Sequence, residues 1–171
     1  MLSRRRLSLL AVTALLALVT AAACGGGQAK SARAARYKAD TTVVFKAVVD
    51  AVNIKHKVER ADAPTGVVLT VPRWHEPEGN YEDMDASGNA AMLQDGSVLL
   101  RFEVRVVTGT NPGELAVEVI PHVAQMRSGY ARPVDLKPGD LAIPGWVEGK
   151  TDDLYVNINA KLKAYEVKPG A

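Results

Sequence analysis

The chain has 171 residues, with 21 basic and 19 acidic side chains and a formal charge of +2. The excess sits at the start: from Asp40 onward 14 basic residues face 19 acidic ones, a net charge of −5. The length suits one ordinary domain rather than a multi-domain machine. The charge excludes a nucleic-acid partner, which calls for a basic surface on the folded part.

Residues 1–6 are short and basic, with Arg4, Arg5 and Arg6. Residues 7–23 are continuously apolar or small and end in Ala21-Ala22-Ala23-Cys24, followed by Gly25, Gly26 and Gly27. Basic start, apolar middle and small-residue end are the three parts of an export signal. The stretch VTAAAC resembles the lipobox of bacterial lipoproteins, with Ala21 where that family most often has Leu. The resemblance implies that Cys24 is diacylated on sulfur, becomes the first residue after cleavage and is commonly acylated on its new amino group. An ordinary secretory signal and an uncleaved helical anchor are the alternatives. Cys24 is the one cysteine, so no internal disulfide framework is expected. Two or three acyl chains hold a protein on a bilayer where one would not. No later apolar run is long enough to span a membrane. Gly25 stands where Asp would resemble an inner-membrane retention signal, which points to the periplasmic face of the outer membrane.

The expected organisation is a signal peptide over 1–23, a lipidated flexible tether over 24–39, and a single periplasmic or extracellular domain over 40–171. The stretch GGGQAKSARAARYKA is small, polar and basic, and three glycines give it no reason to order. Lys30, Arg33, Arg36 and Lys38 would lie near the lipid surface, where anionic headgroups attract cations.

In residues 40–52, Val44, Val48 and Val52 fall on one helical stripe beside Phe45 and Val49, and Asp40 or Thr41 can cap it. The valine content also suits a strand; a helix is preferred. Residues 54–60 alternate at Ile54, His56 and Val58. A turn at Ala63-Pro64-Thr65-Gly66 precedes a strand over 67–71, closed by Pro72. A long polar loop is expected over 75–96. Residues 97–107 are the clearest strand: Val98, Leu100, Phe102, Val104 and Val106 face one way, and Arg101, Glu103 and Arg105 the other. A second alternating strand over 114–124 completes an antiparallel hairpin with one wet face. Residues 125–150 read as irregular. Residues 152–166 carry a helical stripe at Leu154, Ile158, Leu162 and Tyr165, yet they also alternate from Leu154 to Leu162.

The expected fold is α+β, a small antiparallel sheet of three or four strands flanked by N- and C-terminal helices. If the two end segments are strands, the chain becomes an all-β sandwich. Tyr37, the Val44-Phe45-Lys46-Ala47 run, Gly66–Thr70 and Leu154-Tyr155 resemble outer-membrane-assembly accessory lipoproteins, related to the accessory subunit of the barrel-insertion complex. That resemblance implies a non-catalytic interaction domain with another envelope protein or the cell wall as partner.

Candidate chemistry is sparse. His75 beside Glu76 could move protons, but neighbours in an extended segment point apart. His56, His75 and His122 could form a three-histidine metal site, although no ligand spacing supports it. Asp83, Asp85 and Ser87 read like the opening of a calcium loop, with Glu76, Glu78 and Glu82 adding charge. Position 12 of that register is Gln94, so the bidentate carboxylate is missing. A hydrolase or calcium- or metal-binding domain using the histidines and the acidic 76–85 loop is therefore the alternative function. Trp74, Tyr130 and Trp146, with Tyr81, lie in or beside loops and would mark an interaction surface if exposed. No nucleophile elbow, glycine-rich phosphate loop, C-x-x-C or H-E-x-x-H occurs, and no cofactor is expected.

Overall fold

A computed structural model describes residues 24–81 and 93–167. In chain order these form α1 (Cys24–Ala34), α2 (Thr41–Val52), β1 (Val58–Asp62), β2 (Val67–Thr70), β3 (Arg73–His75), β4 (Val98–Thr108), β5 (Leu115–Gln125), β6 (Val134–Leu136) and α3 (Gly145–Leu162), with a 3-10 turn over Lys163–Tyr165. The fold is α+β: six antiparallel strands in one open sheet, with helices before and after them.

The sheet runs β1-β2-β4-β5-β6, with β3 continuing along β4 beyond the end of β2. Pro72 explains the break between β2 and β3, since proline donates no ladder hydrogen bond. At that gap the Phe102 amide donates to the Thr70 hydroxyl oxygen instead, at 2.9 Å. The β1–β2 connection needs Gly66 at φ +69°, where a side-chain Cβ would lie 2.8 Å from the Val106 carbonyl oxygen.

Strand alternation divides the sheet into two unlike faces. Val98, Leu100, Phe102 and Val104 of β4, with Val117, Val119 and Val123 of β5, are buried against Val44, Phe45, Val48 and Val52 of α2 and Val147, Leu154, Ile158 and Leu162 of α3. The outer face is charged. Glu103 accepts from Arg105 at 2.6 Å and pairs with His122 at 2.9 Å. Its partial burial opposes ionisation, yet these two partners hold its carboxyl below the usual range.

α2 forms as expected because Asp40 caps it, its carboxylate accepting from the Thr42 amide at 2.8 Å. The helical stripe also prevails over the alternating pattern near the C-terminus. α3 begins earlier than expected, at Gly145, so the supposedly irregular 125–150 stretch contains its first turn as well as β6.

The flexible-tether expectation is corrected. Residues 24–34 are helical, and Ala29, Ala32 and Ala35 are buried. These methyl-sized side chains let α1 lie close against α3, so the glycines before them do not leave the segment free. Arg33 ties the pair, its Nε 2.6 Å from Asp152 and its guanidinium 5.1 Å from the centre of the Tyr155 ring.

Candidate functional site: a cationic, aromatic cleft

α2 and α3 run antiparallel over the sheet, so the end of α2 meets the beginning of α3. Between them opens a cleft of about 320 Å³ lined by Lys55, His56, Tyr81, Lys150 and Asp153. His56 lies in the turn after α2 rather than in a strand. Its amide donates to the Val52 carbonyl at 2.9 Å, and its ring meets Phe102 edge-on at 5.0 Å.

The far wall is built by β3 and the turn after it. Arg73 and His75 point to the helix side, because their register partners Leu100 and Val98 do. The His75 ring stacks obliquely on Tyr81 at 4.8 Å and Trp146 at 5.0 Å. Its Nδ1–H donates to the Gly79 carbonyl at 3.3 Å; a carbonyl can only accept, which fixes this tautomer. The Trp146 indole N–H donates to the Pro77 carbonyl at 2.8 Å. Gly79, at φ +96°, lies so close on that indole that a Cβ would come within 2.7 Å of the ring. The 76–80 turn is thus fastened onto α3.

Cations over aromatic rings mark this cleft. The Lys150 ammonium lies 5.0 Å from the Tyr81 ring centre and 5.6 Å from that of Trp146. Arg73 shares the Tyr81 ring, at 5.4 Å. Aromatic faces attract cations but do not neutralise them. The one carboxylate lining the cleft among the described residues, Asp153, is bonded to Lys55 at 2.9 Å. Partial burial lowers the Lys150 pKa; Asp153 opposes the shift and Lys55 adds to it. Burial first, then the charges of Lys150 and Arg73, pushes His56 down to about 4. Burial and Lys150 likewise lower His75. Both imidazoles are therefore neutral near pH 7, and Lys55, Arg73 and Lys150 face one carboxylate.

The sequence-derived candidates fall into separate places. His56 and His75 reach the cleft region, but His122 bonds to Glu103 on the opposite face of the sheet, so the three-histidine site is corrected. Among the described residues no group of three His, Cys, Asp or Glu side chains could hold a metal ion. Glu76 turns away from His75 and accepts from Asn80 at 3.1 Å. Asp83, Asp85 and Ser87 lie outside the described residues. Trp74 pairs with Leu99 on the outer face, Trp146 sits half-buried at the cleft, and Tyr130 stands in a turn with 61% of its surface exposed. With Trp74 and Trp146 on opposite faces, the three aromatics do not form one surface. Sequence reasoning missed Lys55, Arg73 and Lys150, which are ordinary surface cations until the fold assembles them.

No protein-family profile matches the chain, and no curated protein matches it.

Proposed function

We propose that this chain is a lipid-anchored, non-catalytic binding domain of the bacterial cell envelope, attached through Cys24. The cleft between Lys55 and Lys150 receives an anionic group of its partner. The observation that carries binding is the cleft's charge: Lys55, Arg73 and Lys150 face Asp153 alone among its described carboxylates. A non-catalytic role is supported by the fastening of His75 to Gly79, with Tyr81 and Trp146 against its ring. Anchoring rests on the signal and lipobox, and the outer membrane facing the periplasm is the proposed location.

Two measurements test this. Cys24→Ser should abolish fatty-acid labelling and release the protein from the membrane fraction; unchanged labelling overturns the anchor. Inorganic phosphate titrated into the Cys24→Ser mature chain should shift the indole N–H resonance of Trp146 and leave that of Trp74 in place. Unmoved Trp146 through saturating phosphate overturns the cleft as an anion site.

A further inference from the structure

Two directions in the fold bring the anchor and the cleft to the same end of the domain. α1 and α3 lie side by side and run the same way: Arg33 meets Asp152, and further along both segments the Tyr37 hydroxyl accepts from Asn159. Followed backwards from Arg33, α1 therefore leads toward the first turns of α3, where Trp146 and Lys150 stand. α2 runs opposite to α3 and delivers Lys55 and His56 to that same end. The 11 residues of α1 span about 16 Å. A lipid on Cys24 would hold this end of the domain against the bilayer, with no flexible spacer to carry it away.

We infer that the Lys55–Lys150 cleft binds the phosphate of an anionic lipid headgroup in the membrane that anchors the chain, an inference that rests on the anchored-domain proposal above. The cations supply the attraction. Tyr81 and Trp146 suit the same place, since aromatic rings with one polar tip favour the headgroup level of a bilayer. Trp146 has its indole N–H satisfied by Pro77 and holds Lys150 over its ring. The lipid would hold the domain at its end, and the headgroup contact would fix its rotation about that anchor.

The test uses the mature chain with Cys24→Ser, so that lipidation cannot mask weak binding. This chain retains Glu82, Asp83 and Asp85 beyond Tyr81, so their charge is included. Sedimentation with phosphatidylglycerol vesicles is compared with sedimentation with phosphatidylcholine vesicles. Binding should require the anionic lipid and weaken about fivefold for Lys150→Ala and for Lys55→Ala separately, the effect of about one surface cation each. Lys161→Ala, at the other end of α3, should leave binding unchanged. Equal losses from Lys161→Ala and Lys150→Ala would overturn the cleft as the contact and assign the attraction to overall charge. Free glycerol phosphate shifting Trp146 without vesicle association would overturn the lipid source and keep anion binding. No response to either ligand would remove both.

Discussion

The two ends of the domain use the same residue types in opposite ways. At the end where β5 begins, Tyr37 exchanges backbone hydrogen bonds with Leu115 at 2.8 and 2.9 Å, and its hydroxyl accepts from Asn159. Lys163 reaches Glu166 at 2.6 Å. That hydrogen bond leads in holding the Glu166 carboxyl below its usual range, against partial burial and with help from Asn159. Along the same β5 edge the Tyr155 hydroxyl accepts from the Val119 amide at 2.9 Å. Pro121, in register with Phe102 two residues beyond Val119, presents no amide there at all. An open strand edge invites pairing with another chain, and here the Tyr37 backbone, the Tyr155 hydroxyl and Pro121 close it. At the opposite end Tyr81 and Trp146 turn their faces to lysine and arginine, and an aromatic ring attracts a cation without neutralising it. Polar groups paired within the chain build the fold; cations held over rings remain able to attract something else.

The largest expected effect lies at the closed end. Tyr37 is 1% exposed, and truncating a buried aromatic to alanine costs about 3–5 kcal/mol. Tyr37→Ala should lower the urea midpoint accordingly, whereas Tyr37→Phe, which loses one hydrogen bond, should cost about 0.5–1.5 kcal/mol. If Tyr37→Ala is no worse than Tyr37→Phe, the closed end is not a structural keystone and the contrast between the ends fails.

Gly79→Ala comes next. Its positive φ and the nearby indole leave no room for a methyl group, and overpacking of this kind costs about 1–3 kcal/mol. Unlike the Tyr37 variants, it should also move the Trp146 resonance, because the 76–80 turn must lift off the ring. A full loss of stability with Trp146 unmoved would show that the turn and the cleft are not mechanically joined.

Acid should weaken the cleft end before the closed end. His56 titrates near 6.5 when unfolded and about 4 when folded. The unfolded chain therefore binds more protons between those values, and stability falls with falling pH across that window. The contribution is complete above about pH 6.5 and gone below about 4. The folded Glu166 carboxyl, held low, withdraws its contribution only in more acidic solution. Melting temperature followed from pH 7 to pH 4 should decline, and His56→Gln should flatten the decline. An equally steep profile in the variant would place the proton uptake elsewhere.

Much of this frame is legible in the amino-acid order, and the limits have physical causes. β4 and β5 announce themselves because eleven-residue strands repeat a two-residue period many times. β3 and β6 have three residues each, too few for any period to show. α3 extends back through Gly149 to Gly145, residues that locally oppose helix, because Val147, Thr151, Leu154 and Ile158 bury one continuous stripe. α1 carried a sign that composition obscured: Ala29, Ala32 and Ala35 recur every three residues, as one helix face does. The cleft leaves no local trace. Lys55, Arg73, Tyr81, Trp146 and Lys150 come from four separate stretches, and only the antiparallel run of α2 and α3 over the sheet assembles them.

The smallest expected effect on stability is the most informative about binding. Lys55 and Asp153 form a close ion pair, but their side chains are 53% and 63% exposed. Such surface pairs contribute about 0–1 kcal/mol, because water and salt screen them and two long side chains must be held still. Lys55→Ala should therefore barely change the urea midpoint. Asp153→Ala should be equally mild for stability and should strengthen the phosphate response of Trp146, since it removes the carboxylate that competes for Lys55 and Lys150. The two substitutions break the same bond and alter the charge of the cleft in opposite directions. If the pair were structural, both variants would lose stability together and affect binding alike. Opposite binding effects at nearly constant stability are expected of a charge held ready for a ligand, and they would separate this end of the domain from the end that Tyr37 closes.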